Sequence, residues 1–593
     1  MLKFVVHAFA IIGFLVVSLI SWGLYLAIQQ QETVQRKPGN IILSLDFNNP
    51  IVEKNDASPF SFAMDEEPMA LLDVLQAIDR AAKDPNVKGI AARFGGNQPT
   101  MVQAQEIRDA LARFRASGKF TYAFGTDYGQ YGLGNRAYYL ASAFENIWLQ
   151  PVGTVSLTGV TLMSPFGKTA LEKIGVTADF MQREEYKSFM EPGQRDGFSP
   201  LVKEEMQTLI NGLSDQIAEG IATSRKWDLD RVKDLMKRGP FVDEEAVQEG
   251  LVTKLAYADE FEDELKRKVG DDVEYIDPLT YMGFTDPPAQ TIPATSVAII
   301  YGSGIIMDKG FEGSDLTGEP ILGADIIADA FTEASENENV KAILFRIDSP
   351  GGSPAASESI RRAMIHAQKR GKPVIVSMGE TAASGGYWIA MNGDKIIADP
   401  ATITGSIGVV AGKFSVDGLL QKLGITMDGV STSANAGLWN MTTPFTPEQR
   451  ARVDALLDNT YRSFVNNVAA ARKIPLENMP QIAKGRIFTG VQAIQIGLVD
   501  KLGGYNEAMD SIRESLKLDP KAQIVMETYP TPPSPMERLI KVMRRLGAEG
   551  SNAFSARAAI TELNAALGPL REIMALTRQP ALLRMQPMES LHE

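Results

Sequence analysis

The sequence predicts an α/β protein in which one domain occurs twice in tandem behind a single N-terminal transmembrane helix. Three observations carry this expectation. Apolar strand-like runs alternate with amphipathic helical stretches, the pattern of a sheet covered by helices. The second half of the chain repeats the first at a nearly constant spacing. Residues 8–28 carry no charge and are long enough to span a bilayer.

Taken in order, residues 1–45 read as anchor and linker, 46–290 as the first repeat, 291–525 as the second, and 526–593 as a basic amphipathic tail. In the anchor, Trp22 and Tyr25 lie toward the far end, where interfacial aromatics gather. A cleaved signal peptide is the competing reading, but its apolar region would be shorter and no Ala-x-Ala site precedes Gln29. Lys3 and the amino terminus oppose Arg36 and Lys37, so charge bias alone does not orient the anchor. The repeat is visible residue by residue. Val87-Lys88-Gly-Ile-Ala-Ala-Arg93 matches Val340-Lys341-Ala-Ile-Leu-Phe-Arg346 at an offset of 253, as Gly118-Lys119 matches Gly371-Lys372. The offset becomes 249 at Tyr138-Tyr-Leu-Ala141 against Tyr387-Trp-Ile-Ala390, and 247 at Gly250-Leu-Val252 against Gly497-Leu-Val499. A proline-rich stretch, 277–293, reads as the linker between copies. In the second copy, residues 296–301, 342–347, 373–377 and 395–398 read as strands and 447–471 as helix. Past a second proline-rich break, Arg538, Lys541, Arg544 and Arg545 stand among Leu539, Ile540, Val542 and Met543.

Composition narrows the chemistry. A net charge of −14 argues against nucleic acid as a partner. The absence of cysteine excludes disulfides, thiolate catalysis and cysteine-bound zinc. No P-loop, His-Glu-x-x-His or calcium-loop pattern occurs, so neither cofactor nor metal is expected. The three histidines, His7, His366 and His592, leave a Ser-His-Asp triad almost without a base.

One stretch nonetheless looks catalytic. A buried strand runs into Gly379-Glu-Thr-Ala-Ala-Ser384-Gly385-Gly386, and the following residues open a helix, which is how a fold presents a nucleophilic hydroxyl. A second strand-to-helix turn, Asp348-Ser-Pro-Gly351-Gly352-Ser353-Pro354, offers a glycine amide. Each turn alone is ordinary glycine chemistry; together they are the parts of an acyl-transfer site. With no suitably placed histidine, a nucleophilic Ser384 would take a lysine or a carboxylate as its base. The copies divide these parts. Asn135 stands at the serine position of the first copy, and Gly95-Gly-Asn-Gln-Pro99 replaces its glycine turn. Conversely, Lys187, in Arg183-Glu-Glu-Tyr186-Lys187-Ser188, faces Ala436 of the second copy. A solvated surface charge is the bland reading of any lysine; its absence from the copy that kept the serine argues otherwise.

With Asp348-Ser-Pro-Gly-Gly352, Ala383-Ser384-Gly-Gly-Tyr387, Thr404-Gly405-Ser406-Ile407-Gly408 and Tyr186-Lys187-Ser188, the chain to about residue 525 resembles the signal peptide peptidase A (protease IV) family in its long double-domain form. The resemblance implies two domains of the Clp protease/crotonase type, a Ser/Lys peptidase, and a site where the halves meet. It implies Ser384 as nucleophile, Lys187 as general base and Ser406 as the residue orienting the lysine, with the amides of Gly352 and Gly385 receiving the oxyanion. It also implies a homo-oligomer, a tetramer, held in the bacterial inner membrane with its catalytic domains facing the periplasm. Its substrates would be signal-peptide remnants and other short unfolded peptides. Lys187 must be neutral to act, which requires burial, and Tyr186, Phe189 and Met190 are the expected walls. Two other readings fit the same residues: an anchored acyl-transfer or thioester enzyme of the crotonase type, and a non-catalytic anchored scaffold.

Overall fold

A computed structural model describes residues 37–54, 68–96, 98–129, 134–284, 294–309 and 320–531. The expected anchor at 8–28 and the tail beyond 531 lie outside them. Among the described residues no helix is long and apolar enough to cross a membrane.

The first repeat forms a six-stranded parallel sheet, and six strands of the second repeat's eight-stranded sheet follow the same order, with Ile403–Gly405 and Ile487–Thr489 added beside Val374–Ala383. In the first the order is Lys254–Leu255, Asn146–Leu149, Phe120–Gly125, Val87–Phe94, Ile41–Asp46, Glu274–Ile276. In the second it is Lys501–Leu502, Lys395–Ala398, Val374–Ala383, Val340–Ser349, Thr295–Ser303, Ile524–Tyr529. The offsets persist in the helices: Leu71–Lys83 and Ala324–Glu336 stand 253 residues apart, Pro200–Arg225 and Pro447–Arg472 stand 247 apart. Individual bonds repeat as well. Buried Tyr138 donates to the Leu251 carbonyl at 2.8 Å, and its counterpart Tyr387 donates to Leu498 at 3.0 Å.

The expected domain limits move at three points. Ile41–Asp46 already belongs to the first sheet, so the linker after the anchor ends before 41 and not at 45. Pro278–Phe284, read as linker, is a short helix; its Tyr281 is buried and donates to Asp84 at 2.8 Å, so an aromatic anchor outweighs the prolines around it. Ile524–Tyr529 pairs with Thr295–Ser303 and carries the second repeat past 525.

The copies are not beads on a string. Residues of the second sheet alternate between two cores, as the period of a strand requires. Val297, Ile299, Leu344, Ile375 and Ile397 join the core of the first repeat, while Ala298, Ile300, Ile343, Phe345, Val376 and Ile396 face the second repeat's own helices. Burial on both faces explains why these strands read as continuous apolar runs. Between the copies lies helix Met101–Arg115, buried almost all round, whose polar residues bond to the other copy: Gln105 accepts the Ala401 amide at 3.0 Å and Glu106 the Tyr505 amide at 2.7 Å.

The repeated arginines measure how different the two environments are. Arg93 is half-exposed and pairs with Glu262. Arg346, at the same place in the second copy, is fully buried and reaches across the seam to Glu53 and Glu106, each at 2.8 Å. Replacing Arg346 by leucine leaves two buried carboxylates without their cation and is expected to cost about 3–5 kcal/mol. Arg93→Leu should cost under about 1 kcal/mol, because an exposed pair contributes little. Urea midpoints of the two variants check the contrast; equal shifts would contradict it.

Candidate active site

Strand Val374–Ala383 ends at Ser384, where the chain turns into helix Gly385–Ala390. Ser384 has φ 54° and ψ −118°, a conformation that L residues rarely adopt and that projects the hydroxyl from the turn. The turn is pinned on both sides: the Ser384 amide donates to the Gly405 carbonyl at 2.9 Å, and Trp388 donates back to the Ser384 carbonyl at 2.9 Å. Trp388 also stacks on Phe464, with ring centroids 4.4 Å apart, and donates to Glu358 at 2.9 Å. Only glycine fits behind the serine, since a Cβ on Gly386 would lie 2.3 Å from the Ser349 carbonyl oxygen.

The second turn packs against the first. Ser353 caps helix Pro354–Lys369 through Ala356, with proline at the helix start, as its sequence predicts. Gly351 has φ 111°, and a Cβ there would stand 2.6 Å from the Gly385 nitrogen and 2.9 Å from Ser384 Cβ. A Cβ on Gly385 would stand 3.0 Å from the Gly352 nitrogen. The neighbouring strand Ile305–Met307 bonds to Gly351 and Ser353 through Ile306 and passes over Gly352. The amides of Gly352 and Gly385 therefore sit side by side next to Ser384, and neither is engaged by a protein acceptor among the described residues.

Lys187 arrives from the other copy. Strand Thr177–Arg183 of the first repeat pairs antiparallel with Val409–Ser415 of the second over seven residues, from Thr177–Ser415 to Arg183–Val409. Arg183 fastens its end to Asp454 and Asp458 on helix Pro447–Arg472. The chain then crosses to the serine, guided by a Tyr186 amide bond to the Lys484 carbonyl at 3.1 Å. Lys187 Nζ lies 2.9 Å from Ser384 Oγ, 2.9 Å from Ser406 Oγ and 3.0 Å from the Ser406 carbonyl oxygen. Ser384, Lys187, Ser406, Gly352 and Gly385 are thus brought together. The counterpart of the serine has become structural: Asn135 accepts the Thr158 and Gly159 amides and donates to the Gly159 carbonyl.

Two glycines close on the lysine: a Cβ on Gly485 would approach the Lys187 backbone to 2.7 Å, and one on Gly408 would come within 3.2 Å of its Cδ. Tyr186, expected as a wall, turns instead to the Arg486 guanidinium, 4.3 Å from its ring centre. Lys187 is only 7% exposed, and burial pushes its pKa down to about 7 from 10.5. The charge of Glu205 opposes that fall. Glu205 is absent from the sequence reading, although a signal existed. It lies on the same helical face as Val202, Met206 and Leu209, where a carboxyl is out of place. Among the described residues no cluster of three or more acidic or histidine side chains is placed to hold a metal.

The chain is similar to known proteins of one family. The model of peptidase family S49 matches the chain twice, over residues 113–271 and 366–519. The chain is 33% identical to Protease 4 of Salmonella typhi over 530 residues, which is 85% of this chain and 83% of that protein. It is 31% identical to Protease 4 of Haemophilus influenzae, over 75% of this chain and 73% of that one. It is 28% identical to the chloroplastic serine protease SPPA of Arabidopsis thaliana, over 76% and 67%. The chain belongs to peptidase family S49 and is a serine peptidase.

Proposed function

We propose that the chain is a membrane-anchored endopeptidase with a Ser384–Lys187 dyad, degrading cleaved signal peptides and other short unfolded apolar peptides. The observation that carries the dyad is the 2.9 Å approach of a buried amine from one copy to the displayed hydroxyl of the other. A neutral amine has two N–H groups and one lone pair. Directed at Ser384, the lone pair takes the hydroxyl proton as Oγ attacks the peptide carbonyl, while the N–H groups hold Ser406. The developing oxyanion enters the space between the Gly352 and Gly385 amides, where each donor contributes about 3–4 kcal/mol in sites of this kind. The ammonium next protonates the departing amine, and the neutral lysine then activates a water to release the acyl group. Lys187 carries the proton at every step, so the cycle calls for no cofactor.

Each half of the chain would adopt the Clp protease/crotonase type of fold, a reading supported by the matched parallel sheets. Residues 8–28 would anchor the chain in the bacterial inner membrane with both copies on the periplasmic side; the uncharged run supports the anchor. Self-association, as a tetramer, is supported by the exposed apolar side chains of Leu423, Ile425, Met427, Val430, Trp439 and Met441 on one surface segment. A site made at a seam opens as a cleft, which an extended peptide enters and a folded protein does not.

Ser384→Ala should lower peptide hydrolysis on the order of 10⁴-fold or more without loss of folding, because alanine fits a turn of small residues. A pure, folded Ser384→Ala preparation that retained activity would refute the nucleophile.

For wild type, kcat/KM should rise with pH through about 7. Below that value the amine is protonated and cannot accept a proton; above it the lone pair is free. Lys187→Arg should be as inactive as Lys187→Ala, since guanidinium stays charged at any usable pH. Near-normal rates in the arginine variant would assign the proton to another group.

Given a signal-like apolar peptide and a stably folded protein at equal concentration, the full-length enzyme in detergent should cleave only the peptide. Equal rates, or cleavage chiefly after charged residues, would refute the substrate class.

A further inference from the structure

Glu205 is a buried titratable group whose charge acts on Lys187 and which the mechanism above does not use. It projects from helix Pro200–Arg225 of the first repeat and is 3% exposed. Its Oε1 accepts the Ile487 amide of the second repeat at 2.8 Å. Ile487–Thr489 is an edge strand, paired on one side only, with Ile403–Gly405. Its outward amide would be an orphan donor without that carboxyl. The same segment carries the setting of the lysine. The Arg486 carbonyl accepts the Ser406 amide at 2.7 Å, and Gly485 donates to the Ile407 carbonyl at 2.9 Å while lying against the Lys187 backbone. The first copy needs no such acceptor, because the residue matching Ile487 at offset 247 is Pro240, which has no N–H.

We propose that Glu205 is a positioning residue for Lys187: its carboxyl pins the backbone that mounts Ser406 and Gly485, and its negative charge, when ionised, holds the proton on the lysine. The inference rests on the Ser384–Lys187 reading. The groups that face Glu205 are Lys187 and Arg486, which favour its ionised form together with the Ile487 amide, and Glu191, which opposes it. Neighbouring Glu204 pairs with the same Arg486 at 3.9 Å. Burial raises the Glu205 carboxyl to about 7, so it titrates in the interval in which Lys187 must lose its proton. A carboxylate forming beside the amine as pH rises delays that loss.

Glutamine and alanine separate the two contributions. Glu205→Gln keeps an oxygen for the Ile487 amide and removes the charge; Glu205→Ala removes both. The test is the pH profile of kcat/KM for the full-length enzyme and both variants, with Lys187→Ala alongside. Glu205→Gln should move the acid limb to lower pH by about half a unit or more. Glu205→Ala should lower kcat on the alkaline plateau about tenfold or more below the glutamine variant, as the mount of Ser406 loosens. An acid limb unmoved in Glu205→Gln, or equal plateaus in the two variants, overturns the proposal. Activity surviving in Lys187→Ala would instead remove the dyad, and the role of Glu205 with it.

Discussion

An amine is a base at neutral pH only where water is kept from its charged form. Lys187 meets that condition at the seam between the two copies, and the surrounding architecture serves to make the seam dry. The amine is 7% exposed although its side chain comes from one repeat and its acceptors from the other. Closing such a place requires the copies to interpenetrate. The arm Thr177–Arg183 adds a strand to the second repeat, and one face of the second sheet joins the first repeat's core. Glycines at 408 and 485 then let backbone close directly on the lysine chain, where larger residues would hold it away from the serine.

Duplication supplied two of everything, and the seam decided what each copy kept. Lys119 and Lys372 do the same work: each donates to two carbonyls at or just beyond the end of a helix, Leu71–Lys83 in the first copy and Ala324–Glu336 in the second. Where surroundings differ, equivalent residues diverge in role. Arg346 is a fully buried link across the seam, whereas Arg93 is a half-exposed surface pair. Ser384 is displayed by its turn, whereas Asn135 is tied into a loop by three hydrogen bonds. An asparagine there ties the first copy's turn down where the second presents a hydroxyl to Lys187.

Much of this was legible in the sequence because local chemistry and internal comparison reach it. The elbow at Ser384, the capped glycine turn ending in Ser353-Pro354, and the 253, 249 and 247 offsets all reappear in the fold. Lys187 stood out through its loss from the second copy. The close approach of Gly408 and Gly485 to it did not, because both lie far away in sequence and glycine signals turns more often than packing. The pairing of Thr177–Arg183 with Val409–Ser415 was illegible for a related reason: its register is fixed by tertiary contacts rather than by a local turn. The helix Pro278–Phe284 was hidden by prolines that read as linker, although Tyr281 is what holds it down. Glu205 required asking which carboxyl lay on an apolar helical face.

Two serines at the site, Ser384 and Ser406, have positive φ, 54° and 53°, and both hydroxyls lie 2.9 Å from the same amine. Such backbone costs of order 1–3 kcal/mol at each residue and persists only where its neighbours fix it. Here the fixing runs in series. The Ser384 amide is held by Gly405, the residue before Ser406, and the Ser406 amide by Arg486. Ile487, next to Arg486, is held by Glu205 on a helix of the other copy. Displaying the Ser384 hydroxyl and seating the Lys187 amine therefore depend on the same contacts. A half-formed seam loses the strained serine conformation and the buried amine together, which would confine the proposed chemistry to the fully folded chain.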